Sequence, residues 1–318
     1  MRARVVIRLA RAVNATREFI EYPGVDFSND LFATMKTHAS FSHLQPPATF
    51  TLSGAERIRN PVRGAFLAGE VVLDGPSAKL FRITGTSLIA LGVGLNVPFG
   101  ILGATFHYPD ILRQPTAAVL TQFHAGGVPL IATWYAFVAA ALFLVPVALF
   151  VHDALATTSG QRASTIVRMA TLAGIGAGVM QALGLIRWVF VVPVLARTFC
   201  DPTTSEPARA AAVGAFESLH QYAGVALGEH LGQLGTALWM VLIAGELTSR
   251  FAFARWLAWL GFASGGLITL GLVEGFATVI PFAVGVLGLA TPVGYVGLSG
   301  WLVAIGVTFI RRAKASHR

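Results

Sequence analysis

Arg187 and Glu229 are full charges embedded in long apolar stretches, where ionisable groups are costly and are functional candidates by default. His230 adjoins Glu229, Gln233 follows one helical turn later, and Glu274 closes a further apolar run. Asn96, Trp134, Tyr135 and Gln181 are the other notable polar or amphipathic side chains in such runs. An arginine and a carboxylate that meet away from water relieve each other's desolvation, and groups of this kind can hold a ligand or handle a proton. These nine residues are therefore expected to form one polar ligand-binding pocket, with Arg187 facing Glu229 across adjacent antiparallel helices. The competing reading is that an Arg–Glu pair only fixes helix register while Glu274 and Trp188 sit at an interface.

Metal or haem ligation is the third reading. His107, His124, His220 and His230 fall on the same side as Glu217 and Glu229. Glu217 and His220 have the Glu-x-x-His spacing of a carboxylate di-metal helix, but such a site needs a second helix of that kind and none is present. His220 and His230, ten residues apart on one continuous helix, could not clasp a haem from opposite faces. No metal ligand set and no cofactor is assigned, and exposure on an amphipathic helix accounts for His124 and His220. The chain has no P-loop, no G-x-S-x-G elbow and no H-E-x-x-H. The glycines of Gly174-Ile175-Gly176-Ala177-Gly178 follow no strand and read as helix packing.

The elements that hold these residues follow from composition. The 318 residues are 55% hydrophobic and 12% charged, with a mean hydropathy of +0.68, against about a quarter charged in ordinary soluble domains. From Thr84 onward the apolar stretches are about 20 residues long, the length of a helix that crosses a bilayer. Hydrocarbon offers no partners to backbone polar groups, and uninterrupted runs lack the alternation of a barrel, so the spans must be helices. The expected fold is all-α: a polytopic integral membrane bundle of six helices in three hairpins, with short outer amphipathic helices. The spans are drawn at Thr84–Thr105, Val128–Val151, Thr165–Val194, Gly224–Leu247, Arg255–Val273 and Thr291–Ile310.

With alternate loops on alternate sides, 23 Lys and Arg divide unevenly: all but Arg113, Arg187, Arg197 and Arg209 share one face. The positive-inside rule makes that face cytoplasmic and puts both termini there. The net charge of +8 thus reports orientation rather than nucleic-acid binding, and the partners expected are the lipid bilayer and a small-molecule ligand. At 1.5 Å per residue, Arg187 lies roughly 28 Å from cytoplasmic Arg168 and Glu229 about 8 Å from the outer end at Gly224, so the pocket should open outward. Glu246 ends its span within reach of cytoplasmic water. Gly224, Gly228 and Gly232 form overlapping GxxxG steps that admit a close neighbour. Cys200 is the single cysteine and excludes an internal disulfide.

Residues 1 to about 80 read as a poorly ordered cytoplasmic extension, or as the product of a start placed too far upstream, with translation beginning near Val71 or Val72. The stretch Ala277 to Ala290 is short for a crossing and reads as an interfacial or re-entrant element. The segments from Pro98 to Gly126 and from Pro193 to Gly224 repeat one pattern, a turn and then a short amphipathic helix, as tandem hairpins would.

Asn96-Val97-Pro98-Phe99, Thr133-Trp134-Tyr135-Ala136-Phe137, Leu185-Ile186-Arg187-Trp188-Val189, and the run from His220-Gln221-Tyr222-Ala223-Gly224 to Gly228-Glu229-His230-Leu231-Gly232 carry a family resemblance. Over about residues 82 to 312 the chain resembles the bacterial membrane family known as domain of unknown function 4386. The resemblance implies a multi-span protein of the bacterial cytoplasmic membrane and no particular reaction. The resulting expectation is a multi-pass protein with an outward-facing polar pocket for small-molecule or proton-linked binding or transport. A membrane-embedded oxidoreductase or haem protein, or a structural subunit of a membrane complex, is the alternative.

Overall fold

Six apolar runs yield six long helices. The structure, a computed structural model, describes residues 75–158, 163–249, 254–277, 279–280 and 288–315. Its helices are α1 (Gly75–Phe106), α2 (Thr116–Thr157), α3 (Thr165–Cys200), α4 (Glu206–Thr248), α5 (Arg255–Ala277) and α6 (Ala290–Ala315), each long and apolar enough to cross a membrane. The described residues contain no strand. The protein is a multi-pass membrane protein. Residues 1–74 lie outside the described residues, as does most of the stretch 277–290, which reads from sequence as interfacial or re-entrant.

The first helix begins earlier than hydropathy suggests. Residues 75–80, assigned from sequence to the extension, belong to α1. Pro76 stands in its first turn, where a missing N–H costs nothing, and Ala78 and Phe81 are buried, with Phe81 4.9 Å from the Phe309 ring of α6. That packing continues the helix past the end of the apolar run.

Each helix packs on its neighbours in the chain, and α6 closes on α1, giving a ring of six helices in sequence order. Its interior is filled by side chains, among them Leu88, Leu91, Trp239, Met240, Trp301 and Leu302. Leu142, Leu172, Phe190, Val194 and Val296 are exposed. In lipid this division has no hydrophobic driving force behind it, so close packing and interhelical hydrogen bonds must hold the ring. The Trp301 indole, donating to the Leu257 carbonyl at 2.9 Å, is one such bond.

One end of the ring carries the two connectors that sequence reads as a repeat, and each is a turn followed by a helix. After α1 comes a 3-10 turn at Asp110–Arg113, then a helical stretch from Thr116 that bends into the body of α2 at Gly127. Gly127 has φ 55° and ψ −149°, a conformation that glycine alone adopts cheaply. After α3, Asp201 accepts hydrogen bonds from the Thr203 amide and hydroxyl, which hold its carboxyl below the usual range and set the turn into the stretch Glu206–Leu219. Thr116 donates to Glu217 at 2.9 Å and joins the two connectors.

Beneath them sits an aromatic cluster. Trp134 and Trp188 stack at 4.7 Å, and Phe106, Phe123 and Phe216 pack around them. Trp188, which the competing register-fixing reading puts at an interface, is instead fully enclosed, because three elements of the connector end converge on it.

Candidate functional site

The site is built on the seam between α3 and α4, where small residues let two backbones approach. Gly184 meets Gly228, Gly232 meets Gln181, and Gly235 meets Ala173 and Ala177. A Cβ on Gly224 would collide with the Arg187 guanidinium. All three glycines of the GxxxG steps thus face α3, and Arg187 stands level with Gly224, one turn from the level of Gly228 and Glu229.

Within α4 the residues His220–Leu231 wind as a π-helix rather than an α-helix. An i→i+5 ladder takes roughly nine residues for two turns where the α-helix takes about seven. His220 and Glu229 are nine residues apart. In an α-helix they would point in opposite directions; the wider winding aligns them on the face toward α3. This overturns the reading of His220 as an exposed residue of an amphipathic helix, whereas His124 is exposed as expected.

Arg187 is 5% exposed. Its Nη1 donates to the Gly184 carbonyl and its Nη2 lies 3.2 Å from His220 Nδ1. A guanidinium has no acceptor, so Nδ1 must accept, and the neutral ring carries its proton on Nε2. The His220 ring also stacks on Phe216 at 5.7 Å. Arg187 Nε is buried with no hydrogen-bond partner among the described residues. Glu229 acts on Arg187 electrostatically, yet the two form no ion pair. The contact expected from sequence is therefore replaced by a looser arrangement: His220 and a backbone carbonyl hold the cation, and Glu229, one turn deeper, acts on it from a distance.

Three other elements contribute. From the first connector, Tyr108 packs edge-on against Trp134 at 5.2 Å and is within the electrostatic influence of both Arg187 and Glu229. Burial pushes its hydroxyl above the ordinary range, so it stays a neutral donor. On the ring-interior side, Gln181 donates to Thr236 at 2.7 Å and to the Gly232 carbonyl at 3.3 Å, and Thr236 meets the Tyr295 hydroxyl. Gln181, Thr236 and Tyr295, with Leu91, Leu144 and Trp239, line a central cavity with room for about one water. At the end of α5, Glu274 pairs with Arg113 at 2.7 Å, and Arg113 also holds Asp110 at 2.8 Å. These two carboxylates keep the Arg113 guanidinium above its ordinary range.

The other expected pocket residues are dispersed. His230 is half-buried and meets the Phe276 ring edge-on at 4.9 Å. Gln233 is half-buried at the start of the α-helical part of α4. Trp134 contributes aromatic packing rather than a pocket wall, and neighbouring Tyr135 is 57% exposed on the outer surface of α2. Asn96 is exposed; its amide donates to the Gly92 carbonyl and to Ser299, both at 2.7 Å, joining α1 to α6 away from Arg187. Interhelical hydrogen bonds in membranes average about 0.6 kcal/mol. Asn96→Leu should accordingly lower stability by less than about 1 kcal/mol in a detergent melting assay and leave any ligand response of the Arg187 site unchanged.

Glu246 departs from its sequence reading as well. It is 2% exposed rather than open to water, because Ser164 at the start of α3 closes over it and donates at 2.8 Å. Sequence reasoning had passed over Tyr108 and Tyr295, which lie on other elements than the charges, and Thr236, which follows Glu229 on α4. The described residues contain no group of three or more His, Cys, Asp or Glu side chains placed to hold a metal.

No curated protein and no solved structure matches the chain. One family does, over a stretch that includes every residue of the cluster from Tyr108 to Tyr295. It is described as Domain of unknown function (DUF4386) and matches residues 83–306, more than half of the chain, so the chain belongs to that family.

Proposed function

We propose that this protein is a small-molecule or proton-linked binding or transport component of the bacterial cytoplasmic membrane, and that its ligand binds at the cluster of Arg187, His220, Glu229 and Tyr108. The connector end faces outward and both termini lie in the cytoplasm, a placement supported by the arginines and lysine of the opposite end: Arg168, Arg255, Arg311, Arg312 and Lys314.

The observation that carries this reading is the Arg187 side chain. A guanidinium that served only to fix register would be expected to meet its carboxylate directly, since breaking or stretching a buried pair forfeits several kcal/mol. Here Glu229 stands off and Nε keeps a buried, unused N–H. Such a donor in a membrane interior is sustained when something else accepts from it. A cryo-EM map of the lipid-embedded protein tests this. Non-protein density against Arg187 Nε, between α3 and the π-helical part of α4, is the expected result. Arg187 enclosed by protein alone, in a map that resolves lipids around the ring, would reduce the cluster to a register-fixing device.

A further inference from the structure

We infer that the ligand is a small monovalent anion, a carboxylate or a comparably small inorganic ion, and that it enters with one proton that is held by Glu229. This rests on the reading of the cluster as a binding site, and it adds the class of ligand and the coupling.

The donor inventory sets the sign of the ligand. Nη1 of Arg187 is engaged by the Gly184 carbonyl and Nη2 by His220 Nδ1, while the buried Nε–H has no partner among the described residues. His220, accepting at Nδ1, presents an Nε2–H, and Tyr108 remains a neutral hydroxyl. The uncommitted N–H groups of the cluster, on Arg187 Nε and His220 Nε2, are donors, and a ligand that satisfies them must bring acceptors. A planar carboxylate suits the geometry of a guanidinium edge.

Charge balance sets the coupling. Glu229 is faced by Arg187 from α3, Glu274 from α5, Arg113 and Tyr108 from the first connector and Tyr295 from α6, with His220 and His230 on its own helix. Arg113 is already engaged by Asp110 and Glu274. The inner site accordingly consists of one cation, Arg187, and one carboxylate, Glu229, which cancel when no ligand is bound. A bound monoanion would leave an uncompensated negative charge in a low-dielectric interior, which is strongly unfavourable. One proton taken from water onto the Glu229 carboxylate restores neutrality, and departure of the anion returns that proton to water. Arg187 cannot serve as the compensating group, because its guanidinium does not change protonation state in proteins. A dianion would remain uncompensated even with Glu229 protonated and is discriminated against.

The test uses the full chain in a maltoside detergent, which carries no phosphate, with formate, acetate and nitrate as probes and sulfate as the dianion. Trp188, whose ring centroid is 5.3 Å from Arg187 Cζ, reports binding by fluorescence, and a pH electrode in weakly buffered solution reports proton exchange. The expected result is saturable binding of at least one monoanion, about one proton taken up per anion bound, and affinity that weakens about tenfold per pH unit where Glu229 is ionised in the free protein. Glu229→Gln, which mimics the protonated carboxyl, should bind as tightly or more tightly, without proton uptake and without pH dependence. Arg187→Lys should weaken binding at least tenfold. Binding by the native protein without proton uptake would overturn the coupling while leaving the cluster as a binding site. No response to any anion by either the native protein or a folded Glu229→Gln variant would overturn the anion assignment, and the cryo-EM density then decides separately whether the cluster binds anything.

Discussion

Gly184→Ala should destabilise the protein by at least about 2–3 kcal/mol, while Gly176→Ala, on the same helix two turns away, should be neutral or stabilising by up to about 1 kcal/mol. The chemical change is identical and the sign differs because of what the new methyl meets. At position 184 a Cβ would lie 2.6 Å from Gly228 Cα and 2.8 Å from the Ala223 carbonyl oxygen, backbone atoms of α4 that cannot rotate away. At position 176 nothing lies within 4 Å, and alanine simply improves helix propensity. Overpacking in a close-packed interior costs about 1–3 kcal/mol even where side chains can yield, so a collision with backbone belongs at or above the top of that range. Parallel thermal melts in detergent provide the measurement. Equal shifts for the two variants would show that α3 and α4 do not approach as closely as the structure has them. Because Arg187 sits one turn from Gly184 on the same seam, Gly184→Ala should also abolish anion-induced fluorescence changes, whereas Gly176→Ala should retain them.

The seam was legible in the sequence, since Gly224, Gly228 and Gly232 recur at a spacing that keeps small residues on one side. The six spans were legible for a simpler reason: hydrocarbon thickness fixes how many apolar residues a crossing helix needs. The connectors announced themselves through Pro109, Asp110, Asp201 and Pro202. What hydropathy could not supply was rotation about each helix axis. In a soluble helix the apolar stripe marks the inward face, but here core and lipid are equally apolar and the stripe carries little information. Helix rise placed Asn96 and Tyr135 at useful depths, and both turn out to be exposed, on α1 beside α6 and on the outer surface of α2. The same ignorance of rotation hid Tyr295, while Tyr108 lies in a connector turn outside the apolar spans; both act on the charges from other elements. His220 was misread as an exposed residue of an amphipathic outer helix, and a winding of 3.6 residues per turn would send it away from Glu229. Only the π winding, invisible in a pattern of side-chain types, brings the two to one face. Glu246 was misread because the residue that covers it, Ser164, stands at the far end of its hairpin in the chain, ahead of α3.

Arg187→Gln and Glu229→Gln should each destabilise the protein, and the double variant should cost less than the two losses added together by about 1–3 kcal/mol, the range for groups that share one electrostatic environment. The sign follows from what each single change strands. Replacing Glu229 leaves a buried guanidinium that keeps both of its hydrogen bonds but has lost the nearest negative charge. Replacing Arg187 removes the donor to His220 Nδ1 and leaves Glu229 beside Glu274, with Arg113 already engaged. The double change removes both charges together, and the desolvation cost goes with them. The two single variants should also differ in their response to pH. A carboxylate deprived of its cation can take up a proton, so the penalty of Arg187→Gln should shrink as pH falls. Neither the guanidinium nor the amide of Glu229→Gln titrates, so the stability of that variant should carry no pH dependence from this site over the same interval. Melting curves of the three variants and the native protein at about pH 5 and about pH 8 would measure both effects. Strict additivity, with parallel pH responses, would mean that Arg187 and Glu229 do not sense one another, and a charge-compensated site could not then be built on them.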